Sequence, residues 1–171
     1  MKLVLLCIVF LLFSNSVYAH PHTFIEVKPT LEIKNEQINK INIRWILDEM
    51  TSMMLIMELD ENSNGIFEKE ENDFIFENYF LSLSSYNFYM HLSINDKEIK
   101  FKPKNFQASI ENNKLIYSFD IVQNIDLKNL KIEFFDEELF VGMILEKNFI
   151  SFSGLQANKA EKLKKKIFGV S

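Results

Sequence analysis

The stretch FIEVKPTLEIK, from Phe24 to Lys34, alternates apolar and polar side chains along its length. Its apolar face holds Ile25, Val27, Leu31 and Ile33. Strict alternation predicts a β-strand with one face in a core and the other in solvent. Pro29 has no N–H to donate, which indicates an edge position or a bulge. We therefore expect the chain to begin its fold with a half-buried strand.

The sequence on the C-terminal side extends this strand into a hairpin. A polar turn at Asn35 and Glu36 is followed by Ile41, Ile43 and Trp45 in the same period. At Asp48, a good N-cap residue, the pattern becomes helical and stays so through Leu59. A polar loop and a second helix of about 15 residues come next. Short β-like runs then cover Phe88–Ile94, Ile99–Lys102, Phe106–Ile110, Leu115–Val122, Leu130–Phe135, Phe140–Leu145 and Phe149–Phe152, before a lysine-rich helix at Leu155–Ile167.

The loop between the two early helices, DENSNGIFEKEE, spans Asp60 to Glu71. It matches the twelve-residue calcium loop D-x-[DN]-x-[DN]-G-x₅-E at every specified position. The predicted calcium ligands are Asp60, Asn62, Asn64, the Ile66 carbonyl, Glu68 through water, and Glu71 with both oxygens. The alternative is an Asn- and Gly-rich turn without metal. Because two ligands are Asn rather than Asp, we expect weak binding, in the class of about 10⁻⁴–10⁻³ M.

These patterns together predict an α+β fold. The expected architecture is a single domain of mostly antiparallel β-strands, residues 20–171, with an inserted EF-hand-like helix–loop–helix at about residues 48–86 and a C-terminal helix. No repeat or long linker divides it.

The first 19 residues have the composition of an export signal. Lys2 precedes an apolar run from Leu3 to Phe13, and Val17 and Ala19 stand at −3 and −1 of a cleavage site. We expect residues 1–19 to be a signal peptide and the periplasmic protein, soluble after cleavage, to begin at His20; the alternative is an uncleaved anchor. Cys7 lies within this segment, so the mature chain has no thiol for disulfides or metal.

The overall charge excludes one class of partner. The chain has a net charge of −5, with 19 basic and 24 acidic residues. An acidic balance is unfavourable for a nucleic-acid surface and compatible with cation binding. The lysines of the C-terminal helix fit a solvated face best, with anionic lipid or a transporter as alternatives.

Four methionines recur at helical spacing in the first helix, at Met50, Met53, Met54 and Met57. The spacing gathers them on one face, and a core stripe is the usual reason for such a face. The alternatives are a thioether site for Cu(I) and a groove that opens when calcium binds.

The three histidines suggest a second metal site. Cleavage after Ala19 would give His20 a free α-amine beside its imidazole. His22, two residues later, could supply a third nitrogen ligand. Pro21 has no amide proton, so a square-planar site built from backbone amides is excluded. A site for Zn²⁺, Ni²⁺ or Cu²⁺ from His20 and His22 remains, completed by His91 or by Asp48 and Glu49. The alternative is structural or surface histidines.

Several of these motifs together resemble a bacterial family of exported proteins, the domain of unknown function 1007 family. The resemblance rests on His20-Pro21-His22 before the first strand and on Trp45-Ile46-Leu47-Asp48-Glu49, similar to W-x-F-D-E with Leu47 for Phe. The calcium-like loop follows, and Phe135-Asp136-Glu137-Glu138-Leu139-Phe140 resembles a degraded Y-D-P-x-Y. Members are often described as periplasmic components of an uncharacterised ABC-type transport system. The resemblance implies association with transporters of divalent metals such as nickel, cobalt or zinc.

The function expected from residues and resemblance is non-enzymatic: a periplasmic metal-binding accessory of a Ni/Co/Zn transport system, with one calcium site and a membrane metal transporter as partner. The alternative is a calcium-stabilised structural or interaction module without a transition-metal role. A copper oxidase using the terminal histidine is disfavoured, because no acid–base pair or nucleophile accompanies it.

Overall fold

The computed structural model describes residues 23–136 and 138–170. The predicted signal peptide, His20 and His22 lie outside these residues. The elements are β1 (Thr23–Lys34), β2 (Gln37–Leu47), α1 (Glu49–Leu59), α2 (Lys69–Ile75), β3 (Met90–Ile94), β4 (Lys97–Glu98), β5 (Lys104–Glu111), β6 (Lys114–Asp126), β7 (Leu130–Phe134), β8 (Val141–Ile144), β9 (Ser151–Ser153) and α3 (Ala157–Phe168).

The hairpin predicted from the opening stretch is confirmed. β1 and β2 pair antiparallel, with Val27 opposite Trp45 and Leu31 opposite Ile41. The turn residues Asn35 and Glu36 both have positive φ, which matches the right-handed twist of a two-residue hairpin. The apolar face of β1 is buried as the alternation predicts.

The strand β1 is nevertheless an interior strand. The main sheet runs β5-β6-β2-β1-β8, and β9 also pairs with β1. Both β8 and β9 run parallel to β1, along Thr23–Glu26 and Thr30–Glu32 respectively. As a whole, β1 is therefore not an edge strand, although Pro29 itself has no strand partner on one side. Proline is tolerated because it lies between the two parallel partners, where β1 makes no ladder on that side.

A second sheet of three strands, β4-β3-β7, completes the β structure. Except for the two parallel partners of β1, the strand pairs are antiparallel. The α+β class, the mostly antiparallel strands and the C-terminal helix are thus confirmed.

An aromatic cluster forms the centre of the core. The Trp45 ring lies 5.2 Å from Phe119, 5.8 Å from Tyr89 and 5.9 Å from Phe80. Phe80 itself stacks on Phe88 at 4.9 Å. This cluster joins the main sheet to the helical segment at residues 76–89, because its members come from β2, β6 and that segment.

The first helix buries the face that the sequence did not indicate. Met50, Met53, Met54 and Met57 are 56–81% exposed, so the predicted core stripe is wrong. The buried positions of α1 are Thr51, Ser52 and Leu59. Ser52 is fully buried because its hydroxyl donates to the Leu47 carbonyl at 3.1 Å and accepts from the Leu115 N–H at 2.9 Å. A hydroxyl that forms its hydrogen bonds costs little to bury. The face of α1 with Ser52 can therefore pack on the sheet, and the methionine face is left exposed.

The second helix also differs from the prediction. The α-helical hydrogen bonds end at Ile75, and a π turn at Phe76–Phe80 and a 3₁₀ segment at Leu81–Tyr89 follow. Asn87, Phe88 and Tyr89 have φ near +50°, a strained conformation for aromatic residues. The strand predicted at Ile99–Lys102 is absent from the described structure, where the strand in this part of the chain is β4, the two residues Lys97–Glu98 that pair with β3.

None of the helices among the described residues combines the length and apolar composition that crossing a membrane requires.

Candidate functional site

The loop between α1 and α2 is organised around the carboxylate of Asp60. Asp60 is only 6% exposed, and its oxygens accept hydrogen bonds from the loop backbone at Asn64 N (3.1 Å) and Gly65 N (2.9 Å). Gly65 adopts φ +78°, which closes the turn toward Asp60. In the described residues Asp60 forms no ion pair, so its charge is neutralised only by N–H dipoles.

The carboxylate of Glu71 closes the other end of the loop. Its Oε1 accepts from the Glu61 N–H at 3.0 Å and its Oε2 from the Glu68 N–H at 2.9 Å. Glu68 and Glu71 also form a reciprocal capping box at the start of α2. The last position of the loop is therefore tied by side-chain to backbone hydrogen bonds to its second position, Glu61, and to the N-cap of α2, Glu68.

The two asparagines of the loop point their amide groups at Glu68. Asn62 Nδ2 donates to Glu68 at 2.9 Å and Asn64 Nδ2 at 2.6 Å. These hydrogen bonds, with a further one involving Glu71, lower the pKa of Glu68 below its ordinary value. The Oδ1 atoms of Asn62 and Asn64 accept from the backbone of Asn64 and Ile66 and keep a second lone pair free.

The loop's donors are all oxygens, the kind of ligand that calcium takes. Carboxylates come from Asp60, Glu68 and Glu71, amide oxygens from Asn62 and Asn64, and a carbonyl from Ile66, whose side chain is 64% exposed. Over residues 23–136 and 138–170, however, no three His, Cys, Asp or Glu side chains are grouped as a metal cluster. The residue types fit calcium, and the amide oxygens of Asn62 and Asn64 would have to turn toward the ion.

A second group of polar residues surrounds the first residues of β1. Asp48 Oδ2 accepts from the Phe24 N–H at 2.8 Å and from the Thr51 hydroxyl at 2.8 Å. The Thr51 hydroxyl also lies 3.3 Å from that of Thr23. Asp48 is the N-cap of α1, as predicted, and it accepts from the Thr51 N–H at 2.9 Å. The end of β2 thus fixes the start of β1.

These hydrogen bonds lower the pKa of Asp48. Burial alone would raise it, but hydrogen bonds from the Thr51 backbone, the Phe24 amide and the Thr51 hydroxyl outweigh burial, so the pKa lies below its ordinary value. Glu49, the other acidic residue predicted beside the histidines, is exposed at the start of α1.

Asp136 lies beside β8, the strand that pairs with the first residues of β1. Thr23 pairs with Val141, and the Val141 N–H donates to Asp136 Oδ2 at 2.8 Å. Leu139 N–H also donates to Asp136, at 2.9 Å. Burial acts to raise the pKa of Asp136, but these amides and that of Glu138 outweigh it and lower the pKa. Asp48 thus binds the β1 backbone next to Thr23, and Asp136 binds the backbone of Val141, the residue paired with Thr23.

His91 shares a cavity with Asp136. The cavity measures about 140 Å³ and is lined by Ser85, Tyr86, Asn87, Tyr89, His91, Phe135, Asp136 and Glu138. The His91 ring stacks on Phe135 with centroids 3.9 Å apart and planes 9° from parallel. Burial, and then the charge of Asp136, raise the pKa of Tyr89 to about 12. The strained residues Asn87 and Tyr89 form one wall.

The residue types of His91 and Asp48 mark them as candidates in the sequence, whereas nothing in the sequence indicates that Thr51, Tyr89 and Phe135 are their neighbours. Asp136 stands out in the sequence only as part of the degraded Y-D-P-x-Y motif. The parallel pairing of β1 with β8 brings the start of β1 close to Asp136. No local pattern predicts a pairing between residues more than a hundred positions apart.

The fold and these sites define a small α+β protein with an oxygen-rich helix–loop–helix and a polar cluster at the start of β1. The chain belongs to the family described as protein of unknown function, DUF1007, whose family model matches residues 5–165.

Two relatives are themselves without assigned function. An "Uncharacterized protein" of Haemophilus influenzae is 27% identical over 161 residues, 90% of this chain and 76% of the relative. An "Uncharacterized 15.5 kDa protein in trpE 3'region" of Spirochaeta aurantia is 30% identical over 98 residues, 55% of this chain and 70% of the relative. No solved structure matches.

Proposed function

We propose that the protein binds one calcium ion in the EF-hand-like loop Asp60–Glu71. The observation that carries this proposal is the buried Asp60 carboxylate, 6% exposed and without a cationic partner among the described residues. A buried carboxylate is costly unless a cation or a full set of hydrogen bonds compensates it. Asp60 occupies the first ligand position of the twelve-residue pattern, so a bound cation would supply the missing charge.

The charges of the loop favour a divalent cation. Asp60–Glu71 carries five carboxylates and a single lysine, Lys69. That lysine pairs with Asp73, outside the loop, and leaves the loop carboxylates without its charge. Bound calcium would neutralise part of this repulsion and link the end of α1 to the start of α2. The two neutral amide ligands keep the affinity in the class of about 10⁻⁴–10⁻³ M.

The attachment of both helices supports a stabilising role for calcium. Ser52 fastens α1 to β2 and β6, and Asn72 fastens α2 to β5. A sensor that opens on binding calcium must move one helix against the other. Here such a movement breaks hydrogen bonds of both helices to the sheet. We therefore propose that calcium stiffens the insert and does not open a groove.

Calorimetric titration with Ca²⁺ tests this proposal. We expect one site with a Kd of about 10⁻⁴–10⁻³ M, and at 10 mM Ca²⁺ a gain in unfolding free energy of about 1.4–2.7 kcal/mol. Glu71→Gln should abolish the gain, whereas Glu70→Gln, a neighbouring carboxylate at a non-ligand position of the pattern, should keep it. An equal gain in both variants, or none in the wild type, would refute the site.

We further propose that the protein is the accessory of a transporter for divalent transition metals. The support is the placement of Thr23, directly after His22, between Asp48 on one side and Val141 and Asp136 on the other. His91 faces the cavity shared with Asp136. A chain that begins at His20 would carry an amine and two imidazoles within three residues of this cluster.

His20, His22 and His91 are the proposed nitrogen ligands for Zn²⁺, Ni²⁺ or Cu²⁺. Asp48 and Asp136 already accept several backbone hydrogen bonds, so we assign them to positioning the start of β1 and not to the ligand set. A bound ion would accept nitrogen lone pairs, which requires neutral imidazoles.

Titration of the chain that begins at His20 tests the transition-metal site. We expect binding of at least one of the three ions, weakened at least about tenfold by His22→Ala or His91→Ala. A single glycine before His20 is the matched control for the free amine and should weaken binding similarly. Calcium binding with no transition-metal binding would leave the alternative, a calcium-stabilised interaction module.

The accessory role also predicts location and partner. A protein exported by residues 1–19 and released by cleavage should be recovered from the periplasm, with His20 as its first residue. It should co-purify with a membrane metal transporter after cross-linking. Recovery from the cytoplasm with Met1 retained would refute export and, with it, the accessory role.

A further inference from the structure

The exposed side of α1 carries four methionines, beside the carboxylates of Glu49 and Glu58. Met50, Met53, Met54 and Met57 are 59%, 57%, 56% and 81% exposed. Leu55 and Ile56 on the same helix pack against the core and Leu59 is buried. The aliphatic side chains of the helix therefore face inward, and its strongly exposed apolar side chains all contain sulfur.

Burial does not explain this separation of methionine from leucine and isoleucine. Leucine and methionine have similar volumes and similar helix propensities, so a helix that needed only apolar surface would use either. An exposed apolar face gains nothing from the hydrophobic effect in the free protein. The property that distinguishes the four exposed residues is the thioether.

Their spacing places the four thioethers in reach of one point. Side chains at i, i+3, i+4 and i+7 share a helix face, with Cβ atoms of neighbouring positions about 5–6 Å apart. Methionine has three rotatable side-chain bonds, so its sulfur can be moved by several ångströms without moving the helix. Solvent exposure leaves these rotations free and leaves the sulfurs accessible.

We propose that the methionine face, Met50, Met53, Met54 and Met57, binds a soft monovalent cation of the Cu(I) or Ag(I) class. Thioethers are soft neutral ligands that favour Cu(I) over calcium, magnesium and other hard cations. The site is distinct from the calcium loop, which offers only oxygen, and from the proposed histidine site, which offers nitrogen. No redox step is involved, because the ion arrives and leaves in the same oxidation state.

The absence of a titrating ligand gives the site a distinctive pH dependence. A thioether carries no proton to lose, so the affinity of the methionine face for Ag⁺ should stay level between about pH 5 and pH 8. A histidine site loses affinity as the pH falls below about 6.5, because protonation occupies the nitrogen lone pair.

Methyl NMR of the purified exported protein with ¹³C-labelled methionine tests the proposal. Silver nitrate in chloride-free buffer is the titrant. We expect the methyl signals of the methionine face to shift until one equivalent of Ag⁺ has been added. The signals of Met90, which is fully buried, and Met143, on β8, should stay in place. No shift, or equal shifts for all six methionines, would overturn the proposal.

Leucine variants separate sulfur chemistry from apolar surface. Met53→Leu and Met54→Leu keep the exposed apolar face and the helix propensity but remove one sulfur each. Each should weaken Ag⁺ binding at least about tenfold, since loss of even an outer-shell partner of a metal site typically costs roughly 10- to 100-fold. Met143→Leu is the control and should leave the affinity unchanged. Equal affinity in Met53→Leu, Met54→Leu and wild type would refute the site.

Discussion

The side chain of Asn72 bridges the calcium-like loop and the edge of the main sheet: its Oδ1 accepts from the Ala108 N–H at 2.6 Å, and its Nδ2 donates to the Phe67 carbonyl at 2.8 Å. Phe67 is buried, and Ala108 lies on β5, the outer strand beyond β6. One side chain therefore joins the loop, the helix α2 and the sheet.

Replacing Asn72 by alanine should destabilise the protein by about 1–3 kcal/mol, because the buried Ala108 N–H loses its acceptor. The measurement is urea unfolding monitored by Trp45 fluorescence. Asn78→Ala is the control: Asn78 donates only to the Phe74 carbonyl within its own helical segment and is exposed, so the loss should be within about 0.5 kcal/mol. Equal losses would mean that the bridge contributes nothing specific.

The lowered pKa of Asp48 predicts a pH-dependent contribution to stability. A carboxylate whose folded pKa lies below its unfolded value stabilises the fold above the unfolded pKa of 3.8, and this contribution is lost as the pH falls through the folded pKa. Asp48→Asn should therefore cost about 1–2 kcal/mol at pH 7 and progressively less below pH 4.

Chemical unfolding at several pH values measures this difference. Asp96→Asn, in the exposed turn after β3, removes the same charge and should give a difference near zero throughout. A cost of Asp48→Asn that is constant from pH 7 to pH 3 would contradict the electrostatic assignment and point to lost packing instead.

The glycines Gly154 and Gly65 differ in how much space surrounds them. Both have positive φ, +83° and +78°. A Cβ on Gly154 would lie 2.2 Å from the Ile33 carbonyl oxygen, whereas a Cβ on Gly65 meets nothing within 4 Å. We expect Gly154→Ala to cost about 3 kcal/mol, from strain plus a backbone clash, and Gly65→Ala to cost about 1 kcal/mol, from strain alone.

Thermal unfolding of both variants in the absence of calcium gives this comparison. If Gly65→Ala were the more damaging of the two, the close packing of Gly154 against β1 would not be the dominant restraint. Calcium should then be added to each variant, since only Gly65 lies in the proposed loop.

The hairpin was predictable because its pattern is local. Alternation in β1 and β2, the turn at Asn35 and the N-cap at Asp48 each depend on neighbours within a few residues. The burial of Val27, Leu31, Ile41 and Trp45 follows from the same alternation.

The orientation of α1 was not predictable, because a 3.6-residue period shows that side chains share a face but not which face is buried. Ser52 decides the orientation through partners in β2 and β6, and Leu115 lies 63 positions away. The break in the second helix at Phe76 has a similar origin: Phe76 and Phe80 pack on Phe106 of β5, and this tertiary contact competes with regular helix geometry.

The candidate sites divide in the same way. The loop Asp60–Glu71 is one continuous segment with fixed spacing, so its ligand candidates could be named from sequence. The cluster at Thr23 joins β1, α1 and the segment before β8, and its composition depends on a parallel pairing that has no local signature.

The attachments of the two helices make hydrogen exchange a direct measure of how often the insert leaves the sheet. The Leu115 and Ala108 N–H groups, both in buried residues, donate to side chains of α1 and α2, to the Ser52 hydroxyl and the Asn72 amide oxygen respectively. Each amide can exchange with solvent only when its helix lifts away or the sheet itself opens. If the two amides exchange at one common rate, faster than the β1 and β2 amides, the helix–loop–helix detaches as one cooperative unit; unequal rates would give the order in which its halves leave.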